Sequence, residues 1–187
     1  MKKKNNKTKA FTIIEILISL SIIVILSTLF LANYKIGSKN SNLINFQTIL
    51  FNDLEKVKWK SLNLENYNNQ LPDYWGLHLN TASSSYDIFV DFGNSDETVK
   101  TQIISNNLLI SNINLSDEIL VLFSTSTGLP VFYDVINSVF VSGDLLIELR
   151  DLDFDFGKRI IINSHGLVDY DDCFCAIGYP NQCSWCN

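Results

Sequence analysis

"KAFTIIEILISL", residues 9–20, sets one carboxylate, Glu15, inside an apolar run that continues to Ala32. From Phe11 to Ala32 there are 22 residues, and Glu15 is the only ionisable side chain among them. As a helix this run would extend about 33 Å at about 1.5 Å per residue, enough to cross the hydrocarbon of a bilayer. Lys2, Lys3, Lys4, Lys7 and Lys9 crowd its leading side, whereas only Lys35 and Lys39 follow it closely. The denser cluster comes first, so the positive-inside rule leaves the N-terminus in the cytoplasm and puts everything after about residue 35 outside. A secretory signal peptide would need a shorter apolar core with a small-residue cleavage site behind it. Here the small residue, Ala10, stands in front.

Charge separates the leader from the rest. The chain of 187 residues carries a formal net charge of −6, with 14 basic and 20 acidic residues. Five of the basic residues fall in the first ten positions, which hold no acid, so residues 11–187 carry nine basic groups against 20 acidic ones, a balance of −11. Such a surface repels phosphate backbones, and no nucleic-acid partner is expected. The length suits one domain with a sizeable core and an appendage.

The order of basic leader, Ala10, Phe11 and Glu15 within "AFTIIEILISL" resembles the signal of type IV pilins and of the related type II secretion pseudopilins. In that family a small residue, usually Gly where this chain has Ala10, ends the leader, a Phe begins the mature chain, and a Glu follows at its fifth position. The resemblance implies cleavage by a prepilin peptidase between Ala10 and Phe11, N-methylation of Phe11, and assembly with other pilin or pseudopilin subunits through Glu15. It also rationalises the buried acid. The helix macrodipole favours a carboxylate in the first turns by about 0.3–1 kcal/mol, less than the several kcal/mol that an unpaired one in lipid can cost. Cleavage before Phe11 would create an ammonium group for Glu15 to pair with, in its own chain or a neighbour's, and the family points to the neighbour. The plainer alternative is a Glu held near the lipid headgroups by its position.

Beyond the apolar run, "SNLINFQTILFNDLEKVKWKSLNLE" (41–65) places Leu43, Phe46, Leu50, Leu54 and Val57 at spacings of three and four, which predicts an amphipathic helix. Asp53, Glu55, Lys56, Lys58 and Lys60 are expected on its other faces, with Ser41 as a start cap and Gly37 and Ser38 as a loosening or kink at the membrane surface. Short runs rich in Val, Ile and Phe follow at 86–92, 99–105, 118–124, 138–142, 144–151 and 159–163, separated by turn residues. Residues 62–85, rich in Asn and Ser, read as a loop with one short strand near Trp75. The fold class expected is α+β, a long N-terminal helix packed on an antiparallel sheet or small β-sandwich. The divisions are a leader (1–10), a membrane and assembly helix (11–32), its amphipathic continuation (33–62), a β-rich extracytoplasmic domain (63–172) and a cysteine-rich tail (173–187). "LVLFSTSTGLPVF" (120–132) and "RIIINSHGLVDY" (159–170), with Gly128 and Gly166, resemble the closing strands of H-type minor pseudopilins, which favours a minor subunit; ordinary hairpin glycines are the alternative.

Cys173, Cys175, Cys183 and Cys186 are the only four cysteines. Outside the cell, disulfides across "AIGYPNQ" are favoured over a four-thiolate zinc site or free thiols. Cys173 and Cys175, two apart in an extended segment, are poorly placed to bridge each other, so each would pair with Cys183 or Cys186. Asp151, Asp153 and Asp155 alternate with Leu152, Phe154 and Phe156, and read as the solvated face of a strand rather than a calcium loop, since the Gly and Glu of an EF-hand are replaced by Phe156 and Ile162. Asp169, Asp171 and Asp172 are the better calcium candidates, because major pseudopilins bind calcium in a C-terminal loop. His78, in a loop-like stretch, and His165, in a turn, have no catalytic or ligand spacing, and no nucleophile-elbow or phosphate-loop motif occurs. No enzyme activity and no cofactor are expected. The two function classes are a pilin-like filament subunit in the cytoplasmic membrane and a single-pass anchored binding domain that never polymerises.

Overall fold

A computed structural model of the chain describes residues 12–81, 83, 85–104, 108–151 and 156–176. The chain divides into two compact units, Met1–Lys39 and Asn40–Asn187. Helix α1 spans Ile13–Leu62 and contributes to both. Ser41 therefore lies inside a helix and caps nothing, and the chain is helical at Gly37 and Ser38 as well.

In the second unit Leu43, Phe46, Leu50, Leu54 and Val57 are all buried, as one stripe of a 3.6-residue helix requires. Asp53 departs from expectation: it is only 9% exposed. It stands roughly 60° from Leu50 around the helix axis, within the width of face that packed sheets cover. Burial there needs a partner, and the Tyr86 hydroxyl donates to Asp53 Oδ2 at 2.7 Å, with Lys100 Nζ at 3.7 Å. Burial and, second, the Asp53 carboxylate push the Tyr86 phenol above its ordinary value, so the donor keeps its proton. Tyr86→Phe leaves the carboxylate short of a donor and is expected to destabilise the domain by about 1–3 kcal/mol in urea unfolding. A change below a few tenths would contradict a buried bond here.

The helix ends by closing its own carbonyls. Glu65 N donates to Lys60 O at 3.0 Å and Leu64 N to Ser61 O at 3.1 Å, a Schellman motif in which Leu64 adopts φ 53°. Lys60 then lies 4.3 Å from the centre of the Trp75 ring, and Trp75 Nε1 donates to Glu65 O at 3.2 Å.

Ten strands follow among the described residues: β1 (Tyr74–Asn80), β2 (Ser85–Asp91), β3 (Asp96–Ile103), β4 (Leu108–Ile113), β5 (Glu118–Ser124), β6 (Pro130–Asp134), β7 (Val139–Val141), β8 (Leu145–Asp151), β9 (Phe156–Ile162) and β10 (Val168–Ala176). They form two antiparallel sheets, ordered β3-β2-β1-β5-β6-β7 and β10-β9-β8-β4. The chain meanders through β1–β3, crosses to the second sheet for β4, returns to set β5 beside β1, and finishes the second sheet with β8–β10. The fold is α+β. Helix α1 reaches both sheets, through Asp53 and Ser61 to β2 and β5, and through Gln47, whose Nε2 donates to Arg159 O of β9.

The stretch expected as a loop with one short strand holds β1, a seven-residue strand near the middle of the larger sheet. Trp75, Leu77 and Leu79 are buried and alternate with Gly76, His78 and Asn80, so the period of two was present amid Asn- and Ser-rich flanks. The segment 151–157 is corrected in the other direction. Arg150 pairs with Gly157, so the chain reverses between them, and Asp151 and Phe156 end different strands rather than one acidic face; residues 152–155 lie outside the described part.

Gly128 and Gly166 mark turns that the fold brings together. Both take left-handed φ, 69° and 80°. A Cβ on Gly128 would overlap Leu62 of α1, and one on Gly166 would stand 3.1 Å from Pro130 Cδ. The β5–β6 turn, the β9–β10 turn and the end of α1 therefore pack without room for side chains there.

Candidate functional site

Helix α1 opens with Thr12 as its cap. Thr12 N donates to Glu15 Oε2 at 2.8 Å, Thr12 Oγ1 donates to the same oxygen at 2.9 Å, and Glu15 N donates back to Thr12 Oγ1 at 3.3 Å. This is a capping box, two of the helix's orphan donors satisfied reciprocally by a Thr and the acid three residues on. Its sequence signature, Thr-x-x-Glu, is present in "TIIE", and the sequence reading of Glu15 missed it. The carboxylate is thus held by its own first turn, whatever it meets beyond the chain. Ala10 and Phe11, the expected cleavage and methylation positions, lie outside the described residues.

Behind the cap, Ile13–Leu31 has a mean hydropathy of 2.6 and none of it is buried by the rest of the chain. It is long and apolar enough to cross a membrane. The hydroxyls of Ser19, Ser21 and Thr28 donate to the carbonyls of Glu15, Ile18 and Ile25 at 2.7–2.8 Å. Each is satisfied on its own helix, the arrangement that a solvent without hydrogen-bond partners demands.

The remaining candidates scatter. Asp169 sits in β10, where its Oδ1 accepts from Tyr170 N at 2.8 Å. Asp171, Asp172, Cys173 and Cys175 belong to the same strand, their side chains outside the described part, and Cys183 and Cys186 lie beyond it. The acidic run is thus in a strand, paired to β9 through Asp171, rather than in a loop. Among the described residues no group of three His, Cys, Asp or Glu is placed to hold a metal ion. His78 lies in β1, not a loop, with Nε2 2.8 Å from Glu118 Oε1. His165 lies in the β9–β10 turn, its backbone N donating to Asn163 Oδ1 at 3.0 Å.

One acidic pair has a measurable consequence. Asp91 and Asp96 are opposite one another where β2 meets β3. Partial desolvation, and then the Asp91 carboxylate beside it, hold Asp96 above its ordinary value. A raised folded-state pKa in an acid means that the folded chain binds the proton more tightly, so stability falls as pH rises from the unfolded value through the folded one. Asp96→Asn is therefore expected to stabilise the domain by about 0.5 kcal/mol at pH 7, a screened surface effect. The gain should vanish on acidification below the aspartate range, and an equal gain at all pH values would rule out the repulsion.

No match was found to a curated protein or to a solved structure. Residues 5–31 match the prokaryotic N-terminal methylation motif, the signal characteristic of type IV pilin and pseudopilin precursors. That motif covers residues 5–10 of the leader, the Thr12–Glu15 cap and the apolar turns behind it, and it implies processing by prepilin peptidase and assembly with other pilin subunits. The chain thus carries, over residues 5–31, a signal characteristic of type IV pilin and pseudopilin precursors, together with a helix long and apolar enough to anchor it in a membrane.

Proposed function

We propose that the chain is a structural subunit, and a minor one, of a type IV pilus or type II secretion pseudopilus. It is stored in the cytoplasmic membrane with its leader inside and its β-rich domain outside. Prepilin peptidase cuts between Ala10 and Phe11, the new amine of Phe11 is methylated, and Glu15 pairs with the Phe11 amine of a neighbouring subunit as the helices dock. The methylation motif over residues 5–31 is the observation that carries this reading. The excess of acid in residues 11–187 supports an exterior that does not hold nucleic acid. Gly128 and Gly166, in turns that close on one another, support the minor assignment only through the resemblance of their strands.

Intact-mass and N-terminal analysis of the protein recovered from its native membrane tests the proposal. The expected chain begins at Phe11 with one added methyl group. A chain that keeps Met1 and its lysines would instead be a plain anchored domain.

A further inference from the structure

Three leucines meet in water where α1 ends: Leu62, Leu129 and Leu167 are 47%, 47% and 60% exposed. The two glycine turns bring them together. A Cβ on Gly128 would overlap Leu62, Leu129 is the next residue, and the turn at Gly166, which leads into Leu167, abuts Pro130. Leu71, also about half exposed, extends the group, because Pro72 O beside it accepts from Thr125 Oγ1 at 2.9 Å in the same β5–β6 turn. A single exposed leucine is ordinary, but a contiguous patch of a few hundred Å² is the size that marks a contact surface.

Acid lies beside the patch. Asp73 O accepts from Thr125 N at 3.0 Å, and Asp73 Oδ2 is 2.9 Å from where a Cβ on Gly93 would stand, in the β2–β3 turn. Ser124, Tyr74, Asp91 and Asp96 are successive partners across β5, β1, β2 and β3, a width of three strand spacings or about 14 Å. One interface of standard size reaches that far. The ion pairs among the described residues engage Asp53, Glu55, Glu65, Glu118 and Glu148, so none of them supplies a cation to Asp73, Asp91 or Asp96.

A patch of a few hundred Å² falls short of the about 800 Å² that each partner of a stable complex buries, so charge must add to the apolar contact. A second copy is a poor match, since it brings its own excess of acid, nine basic groups against 20 acidic ones in residues 11–187. An anionic lipid surface is repelled for the same reason. We propose that the end of α1 and the turns at Gly128 and Gly166 dock a different protein, one that presents an apolar side chain to Leu62, Leu129 and Leu167 and Lys or Arg side chains to Asp73, Asp91 and Asp96. Opposite charges steer the approach and fix its orientation, while the leucines exclude water from the centre of the contact. The docking face belongs to the β-rich domain and stands whether or not the chain polymerises.

The test places the photo-crosslinker p-benzoylphenylalanine at position 129 of the full chain in its native membrane. The same group at position 103, where Ile103 is exposed at the far end of β3, serves as the control. Illumination is expected to join position 129, and not position 103, to one other protein at an apolar segment flanked by Lys or Arg. Asp96→Lys is expected to lower the yield about tenfold, and salt of about 1 M, with a screening length of about 3 Å, to lower it likewise. Because Asp96→Lys replaces a repulsion from Asp91 by an attraction, a loss of folding does not account for the drop. Leu167→Ser, at an exposed position that the fold tolerates, should lower the yield through the apolar half of the contact. A product with a second copy or with lipid, a yield no greater than at position 103, or a yield indifferent to Asp96→Lys, to salt or to Leu167→Ser overturns the proposal.

Discussion

Glu15→Ala is expected to insert into the membrane as the native chain does and to enter filaments at least tenfold less efficiently. Insertion is governed by the apolar span of Ile13–Leu31, which the substitution only makes more apolar. Assembly loses two things. The side-chain half of the capping box disappears, the bonds from Thr12 N and Oγ1 to the carboxylate, worth about 0.3–1.5 kcal/mol, while the backbone N of residue 15 still donates to Thr12 Oγ1. The charge that would meet a neighbour's amine disappears as well, and a tenfold loss corresponds to about 1.4 kcal/mol. Glu15→Gln separates the two, because an amide oxygen still accepts from Thr12 but carries no charge. If charge pairing drives docking, the Gln variant fails as the Ala variant does; if the cap alone matters, Gln restores assembly. Filaments that take up Glu15→Ala at the native level would refute a role for this residue in assembly. Quantifying subunits in sheared filaments against those in membranes gives the ratio.

Leu54→Ala is expected to cost the domain about 2–5 kcal/mol. Leu54 is completely buried between Leu50 and Val57 on the stripe that α1 turns to the core. Its neighbours across the core belong to hydrogen-bonded ladders, which cannot collapse freely into the space left behind, so the upper half of that range is expected. Against a typical stability of about 5–15 kcal/mol this is a large share. Urea unfolding of the full chain in detergent, followed by near-ultraviolet circular dichroism, reads the difference. A loss below about 1 kcal/mol would mean that this face of α1 does not pack as described.

Both predictions rest on features legible in the chain. The Thr12–Glu15 box is written there too, as Thr-x-x-Glu, but a carboxylate in an apolar run points to a cation before it points to a cap. The central strand β1 was harder to see, since its inward residues Trp75, Leu77 and Leu79 are separated by Gly, His and Asn between polar flanks. Composition outvoted alternation. Asp53 reads as a surface acid on any helical wheel, because a wheel shows angles but not how wide a face two sheets will cover.

What the sequence determined by itself is what depends on neighbours within a few positions: the apolar span, the capping box, the stripe from Leu43 to Val57 and most of the strands. Hydrophobic period and local hydrogen bonding act over a turn of helix or a pair of residues, and they survive in a linear string. Only the tertiary structure decided that β5 pairs with β1 while β4 crosses to the other sheet, that Tyr86 answers Asp53, and that the turns at Gly128 and Gly166 meet at the end of α1. Those are choices among distant partners of similar local character, and they are settled by which combination fills one core without leaving a buried charge or a backbone group unpaired.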